Sequence, residues 1–262
     1  MRRRGVLDAA RQAEPLRVGM SRATGVFLAA EWRHLAMLNY RVPIGLLERF
    51  VPRGTELDLW QGSAYVSLVG FMFHDTRLFG IPVPFHGSFE EVNLRMYVRR
   101  VVNGEVRRAV TFIRELVPRV AIATAARLAY NEPYRALPMS HRIDLPEGGD
   151  GTVEYSWKVG GAWTRLRVDG IGESMSAAAG SEEEFITRHH WGYTRQRDGS
   201  TIEYEVRHPA WTIRSARGAT VQGDLAATYG LELASALSGA PDSAFVADGS
   251  SVTVHLPRRL PA

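Results

Sequence analysis

Residues 89–120 read FEEVNLRMYVRRVVNGEVRRAVTFIRELVPRV, and the fold turns on the two residues near the middle of that stretch. Asn103-Gly104 suits a two-residue type I′ loop, which needs positive φ at both central positions, so the flanking segments are expected to form a long antiparallel hairpin. The loop sets a register in which Val102 faces Glu105, Val98 faces Ala109, Leu94 faces Ile113 and Glu91 faces Leu116, because opposed residues share a face. One face then carries Val92, Leu94, Met96, Val98, Ala109, Thr111 and Ile113. The other carries Glu91, Asn93, Arg95, Tyr97, Phe112 and Arg114, with Arg114 opposite Asn93 and diagonal to Glu91 and Arg95. Such alternation describes a half-buried hairpin with a solvated outer face equally well. The aromatic rings of Tyr97 and Phe112 among the charges favour a semi-enclosed cleft, where apolar walls surround a few polar groups.

Outward from the hairpin, the chain is dominated by short strands. Val26 to Tyr40 is expected to be the first strand, followed by a short helix from Pro43 to Phe50, since proline pre-sets φ for a first helical turn. Leu57 to Trp60 and Tyr65 to Phe73 form strands about a turn at Gln61-Gly62, and Gly80 to Gly87 is an extended loop. Ala121 to Tyr130 lacks Gly and Pro and is expected to be helical. Two more hairpins turn at Gly160-Gly161 and Asp198-Gly199. Ser181 with Glu184 forms a capping box for a short helix, Asp224 to Leu237 is helical, and Ser251 to Leu256 is a last strand. Three glycine-turn hairpins with brief helices indicate a mainly β (α+β) chain, an antiparallel barrel or sandwich. Residues 1–22 are expected to be a flexible tail and 23–262 a single domain.

Composition narrows the function classes. The 262 residues are 45% hydrophobic and 23% charged, and none is cysteine, so there is no disulfide, no thiol nucleophile and no thiolate metal site, which fits a reducing cytoplasm. The net charge is +4 and the isoelectric point about 9.6. Its bases are almost all arginine, Lys158 being the single lysine. They are scattered rather than gathered in a stripe, and no nucleic-acid motif accompanies them, so no nucleic-acid partner is expected. Arg2-Arg3-Arg4 precedes Asp8, Arg11, Gln12 and Glu14, which interrupt any signal-peptide core, and no window has the apolar length of a membrane span.

Catalytic templates are missing. There is no G-x-S-x-G, P-loop or G-x-G-x-x-G, so no cofactor is expected. His189-His190 beside Glu182, Glu183 and Glu184 lacks metal-ligand spacing, and adjacent strand residues point to opposite faces. His74-Asp75 and His86 have nothing local to bring them together, so no metal is expected. Trp191, Tyr193, Tyr204 and Trp211 are assigned to core or interface, since no basic cluster tracks a phosphate backbone beside them.

The series Phe89-x-Glu91-x-Asn93-x-Arg95-x-Tyr97-Val98, with Trp32-Arg33 through Val51-Pro52 and the closing His208-Pro209-x-Trp211, resembles the YqjF-like family of uncharacterised bacterial proteins. The resemblance runs from about Glu31 to Trp211. That family is similar to acetoacetate decarboxylase, which implies a closed, cone-like antiparallel β-barrel with a few short helices, in a superfamily that forms homo-oligomers. It also implies that Arg33, eight residues before Arg41, and Glu91 in Phe89-Glu90-Glu91 match active-site positions of the decarboxylase. A second glutamate, expected five residues before His74-Asp75, is Val69 here. The paired lysines that follow Arg-Glu-Leu and a proline are replaced: Arg114-Glu115-Leu116-Val117-Pro118 continues with Arg119 and Val120. A Schiff base needs a neutral amine, and arginine stays protonated, so imine chemistry is not expected.

Two function classes remain open on these residues. In one, Glu91 and Arg119 are catalytic, while Arg33, Asn93, Arg95 and Arg114 bind a small anionic metabolite, a carboxylate or keto acid, through charge-assisted hydrogen bonds. In the other, the same groups form a binding or sensing module without turnover.

Overall fold

A computed structural model describes residues 25–84 and 87–260; the expected tail, residues 1–22, and His86 lie outside the described residues. Asn103 and Gly104 take φ of 52° and 82°, as the type I′ loop requires. In chain order the elements begin with β1 (Val26–Val42), α1 (Ile44–Leu47) with a 3₁₀ turn (Glu48–Phe50), β2 (Glu56–Leu57), β3 (Ala64–Leu78) and β4 (Ile81–Pro82). The central hairpin, β5 (Phe89–Val102) and β6 (Glu105–Val117), leads into α2 (Val120–Tyr130) and β7 (Tyr134–Ala136). Then come β8 (Met139–Asp144), β9 (Gly151–Val159), β10 (Ala162–Gly170), β11 (Met175–Ser176) and α3 (Glu182–Thr187). The chain closes with β12 (Trp191–Arg195), β13 (Thr201–Arg207), β14 (Thr212–Gln222), α4 (Leu225–Tyr229), α5 (Leu231–Leu237), β15 (Ser243–His255) and β16 (Arg258–Arg259).

The fold is therefore mainly β with a few short helices. The expected helix over Asp224 to Leu237 is divided at Gly230, whose φ of 85° breaks the helical run. Strand β14 had no forecast; its Arg-Ser-Ala-Arg-Gly-Ala centre lacks the β-branched and aromatic residues that mark strands, and only its pairing with β10, β11 and β15 makes it one.

The sheet runs β13-β12-β6-β5-β3-β1-β15, and a further contact of β13 with β15, Val206 opposite Val254, joins the two ends of that path. From β15 the pairing also continues through β14, β10 and β9 to β8. All pairs are antiparallel except two short parallel contacts that β6 makes with β12 and β7. The β8–β10 layer folds over the outside of the hairpin. Tyr155 and Trp157 of β9 join Leu94, Met96 and Leu68 in one core cluster, so close that a Cβ on Gly70 would stand 2.4 Å from the Tyr155 ring. Burying both faces of β5 excludes a solvated outer face, and each enclosed apolar side chain contributes roughly 1.5–3 kcal/mol.

One local irregularity decides the site. The predicted register holds from Val102–Glu105 to Arg95–Phe112, and then Leu94 pairs with Arg114, leaving Ile113 as the extra residue of a β-bulge. Because side chains alternate with period two, one inserted residue exchanges the faces beyond it. Glu115, not Arg114, therefore stands opposite Asn93.

Candidate functional site

The inner face of the hairpin opens on a cavity of about 150 Å³. Its apolar walls come from Trp32 and Leu35 of β1, Phe71 and Phe73 of β3, Phe89 of β5, Phe112 of β6 and Ile122, Ala125 and Ala126 of α2. Stacking of Phe73 on Phe89 (4.7 Å between centroids) and the edge contact of Trp32 with Phe71 (5.3 Å) fix the wall. At the polar side stand Glu91, Asn93, Arg95, Glu115, Glu132, Tyr134, His189 and Tyr204. The four charged groups are nearly enclosed: Glu91 and Glu115 are 2% exposed, Glu132 5% and Arg95 7%.

Three segments deliver these groups. Strand β5 places Glu91, Asn93 and Arg95 at alternate positions, and the bulge turns Glu115 of β6 toward them. Helix α2 ends at Asn131, which adopts a left-handed φ of 56° and donates its N–H to the Arg127 carbonyl. That end turns the chain so that β7 pairs with β6, Tyr134 opposite Glu115. Asn93 Nδ2 donates to Glu91 Oε1 (3.0 Å) and the Tyr134 hydroxyl to Glu91 Oε2 (2.8 Å). Glu132 Oε1 accepts from the Tyr204 hydroxyl (2.6 Å) and from Thr194.

Enclosure disfavours the ionised form of a carboxyl, and here that effect prevails. Burial pushes Glu91 up to about 7, against the hydrogen bonds of Asn93 and Tyr134 and the charge of Arg95. Burial also lifts Glu132 to about 7, with Glu91 adding to the rise. Glu115 is held well above the usual carboxylate range by burial and then by the charges of Glu132 and Glu91. His189 is buried with Nε2 3.4 Å from Asp58 Oδ2, and desolvation lowers its pKa. His208, stacked on Trp211 at 4.3 Å, is pushed down to about 4, chiefly by burial.

Of the site residues expected from sequence, Glu91, Asn93 and Arg95 meet in the cavity. Arg114 does not: beyond the bulge it lies on the opposite face, near Tyr229. Arg33 does not either, because its strand neighbour Trp32 points inward and alternation sends Arg33 out, to pair with Glu31 (2.5 Å) beside a separate open depression. Arg119 is exposed at the start of α2 and is not among the lining residues. Val69 is buried beside Asn93 in register. Lys158 sits on β9, 6.0 Å from the Trp163 ring, and no lysine lines the cavity. His74 contacts Ser88 at the surface, and among the described residues no cluster of three or more potential metal ligands occurs.

Glu115, Glu132 and Tyr134 are not expected at a site from sequence, while His189, set aside as a metal ligand, and Tyr204, assigned to core or interface, also line the cavity. A bulge has no reliable signature in a strand without glycine, and the segment after α2 reaches the hairpin only through tertiary pairing.

The architecture is that of acetoacetate decarboxylase-like proteins. Acetoacetate decarboxylase of Legionella pneumophila superposes with a TM-score of 0.64 over 90% of this chain and 88% of its own, at 11% identity. The enduracididine biosynthesis enzyme MppR, complexed with the condensation product of pyruvate and imidazole 4-carboxaldehyde, gives 0.63 over 92% of each chain at 14% identity. Such identities carry the fold alone. Within that fold, the chain belongs to the DUF2071 family, described as an uncharacterized conserved protein, whose profile matches residues 29–251. The uncharacterized protein YqjF of Bacillus subtilis (strain 168) is 35% identical over 68 residues, a stretch that is 26% of this chain and 28% of that protein. No helix among the described residues is long and apolar enough to cross a membrane.

Proposed function

We propose that the chain is an acetoacetate decarboxylase-like protein whose barrel, closed by the β13–β15 contact, binds a small carboxylic or keto acid. Turnover there would use acid–base chemistry without a covalent bond to lysine. The observation that carries this reading is the convergence in one cavity of an enclosed guanidinium, Arg95, and an enclosed carboxyl, Glu91, whose pKa of about 7 suits proton transfer near neutrality. Arg95 Nε is buried without a protein partner among the described residues, so the guanidinium is free to bond an incoming carboxylate. MppR, a neighbour in fold, is also known complexed with pyruvate.

The chemistry that follows is proton abstraction next to a carbonyl. Ionised Glu91 takes a proton from the carbon beside the keto group. Electrons of the broken C–H bond move toward the keto oxygen, whose developing negative charge is stabilised by the Arg95 guanidinium that holds the adjoining carboxylate. Return of the proton from Glu91 restores the keto acid or yields its tautomer, with no atom left on the protein.

The test is proton NMR of pyruvate and 2-oxobutyrate in deuterated buffer. Accelerated loss of the signals next to the keto group, abolished in Glu91→Gln, is expected. Saturable binding on Arg95 without exchange would make the protein a binding module, and absence of both binding and exchange would overturn the proposal. Borohydride trapping with acetoacetate is expected to give no covalent adduct.

A further inference from the structure

The cavity holds more carboxyl groups than a simple acid requires, and two of their oxygens have no partner among the described residues. Glu91 has one oxygen bonded by Asn93 and the other by Tyr134. Glu132 is held by Tyr204 and Thr194 through Oε1 alone, while Glu132 Oε2 and Glu115 Oε2 are buried with no hydrogen-bond partner among the described residues. Buried polar atoms are nearly always satisfied, so these two acceptors mark where a donor belongs. The two carboxyls also lie close enough for the charge of Glu132 to act on Glu115.

The charge inventory points the same way. Arg95 is the one cationic side chain among the lining residues, facing three carboxyls, and the two lining histidines, His189 and His208, are kept neutral by burial. A ligand with a carboxylate and nothing else would bring a fourth acid into an enclosed space. A ligand that also carries a positive nitrogen would meet Arg95 with one end and the surplus carboxyls with the other. The scaffold supplies a suitable separation: Glu115 is in register with Asn93, which is two residues from Arg95. One strand spacing and two residues of rise put the Arg95 and Glu115 backbones roughly 8 Å apart.

We propose that the ligand is dipolar, a small carboxylic or keto acid whose far end bears an ammonium or guanidinium group, with Arg95 holding the carboxylate and Glu115 and Glu132 holding the cation. This rests on the acid-binding reading above and adds the second charge to it. The protonated fraction of Glu115 and Glu132 falls when such a cation enters, because an opposite charge favours the ionised carboxyl.

Titration calorimetry with butyrate, 4-aminobutyrate and 4-guanidinobutyrate on the full chain tests it; the probes lack a keto group, so binding is read apart from turnover. At least one of the two cationic probes is expected to bind tenfold or more tighter than butyrate, and Glu115→Gln and Glu132→Gln are each expected to reduce that ratio at least threefold. Arg95→Ala is expected to weaken all three probes. Butyrate binding as tightly as both cationic probes would overturn the dipolar ligand while leaving the acid-binding site intact. A cationic advantage that survives both glutamine variants would overturn the assignment to Glu115 and Glu132. Failure of all three probes and of pyruvate would sink the acid-binding reading and this inference with it. The wild-type comparison stands by itself should a glutamine variant fail to fold.

Discussion

Replacing Glu91 by glutamine is expected to flatten the dependence of stability on pH. The carboxyl titrates near 4.5 when unperturbed and at about 7 in the folded chain, with desolvation as the largest cause. Since the folded value is the higher one, the fold favours the protonated form. The stability this preference contributes is fully present below about pH 4.5 and is lost as pH rises through 7. At about 1.4 kcal/mol per pKa unit, the whole effect is roughly 3 kcal/mol, of which roughly 2 to 3 kcal/mol falls between pH 5 and pH 8. Glutamine keeps the shape of the side chain and its acceptor for Asn93 but does not titrate. Urea unfolding of both proteins at pH 5 and pH 8 measures the difference: groups remote from Glu91 drop out, and removing its charge also relieves Glu132 and Glu115 in the variant, which widens the gap in the same sense. The wild type should lose roughly 2 to 3 kcal/mol more than the variant over that interval. Equal losses, within about 0.5 kcal/mol, would show that Glu91 is not desolvated in the folded chain and would remove the basis for its role as a base at neutral pH.

Two further outcomes bear on the site. Gly192→Ala is expected to destabilise the chain by about 1–3 kcal/mol, because a Cβ there would come within 2.2 Å of the Tyr204 ring; displacing that ring also breaks its bond to Glu132, so thermal melting and probe binding should decline together, and an unchanged melt would contradict the packing of β12 on β13. Arg119→Ala is expected to leave pyruvate affinity within about twofold of wild type, within the small range of changes at exposed positions away from a site, whereas a tenfold loss by calorimetry would bring Arg119 back into the site.

The local chemistry of the chain was legible from residues alone wherever short-range geometry governs it. Asn103-Gly104, Gly160-Gly161 and Asp198-Gly199 marked three hairpins because positive φ is a property of the residues themselves, and Ser181 with Glu184 marked a helix start because the cap needs only four consecutive positions. The hydrophilic face of β5 was equally plain. Its orientation was not, since alternation distinguishes two faces without saying which is covered. Both proved covered, one by β9 and the other around the cavity.

For this protein, then, the sequence by itself determined the mainly β character, the hairpin register as far as Arg95 and Phe112, and the association of Glu91, Asn93 and Arg95 on one face. Only the tertiary structure decided the rest of the site. The bulge at Ile113 removed Arg114 and brought in Glu115, inward-facing Trp32 turned Arg33 away, and pairing of β7 with β6 brought Glu132 and Tyr134 to the same space. The physical reason is that strand alternation is a local rule that one inserted residue reverses, while proximity between distant segments is set by backbone hydrogen bonds that any sequence can make.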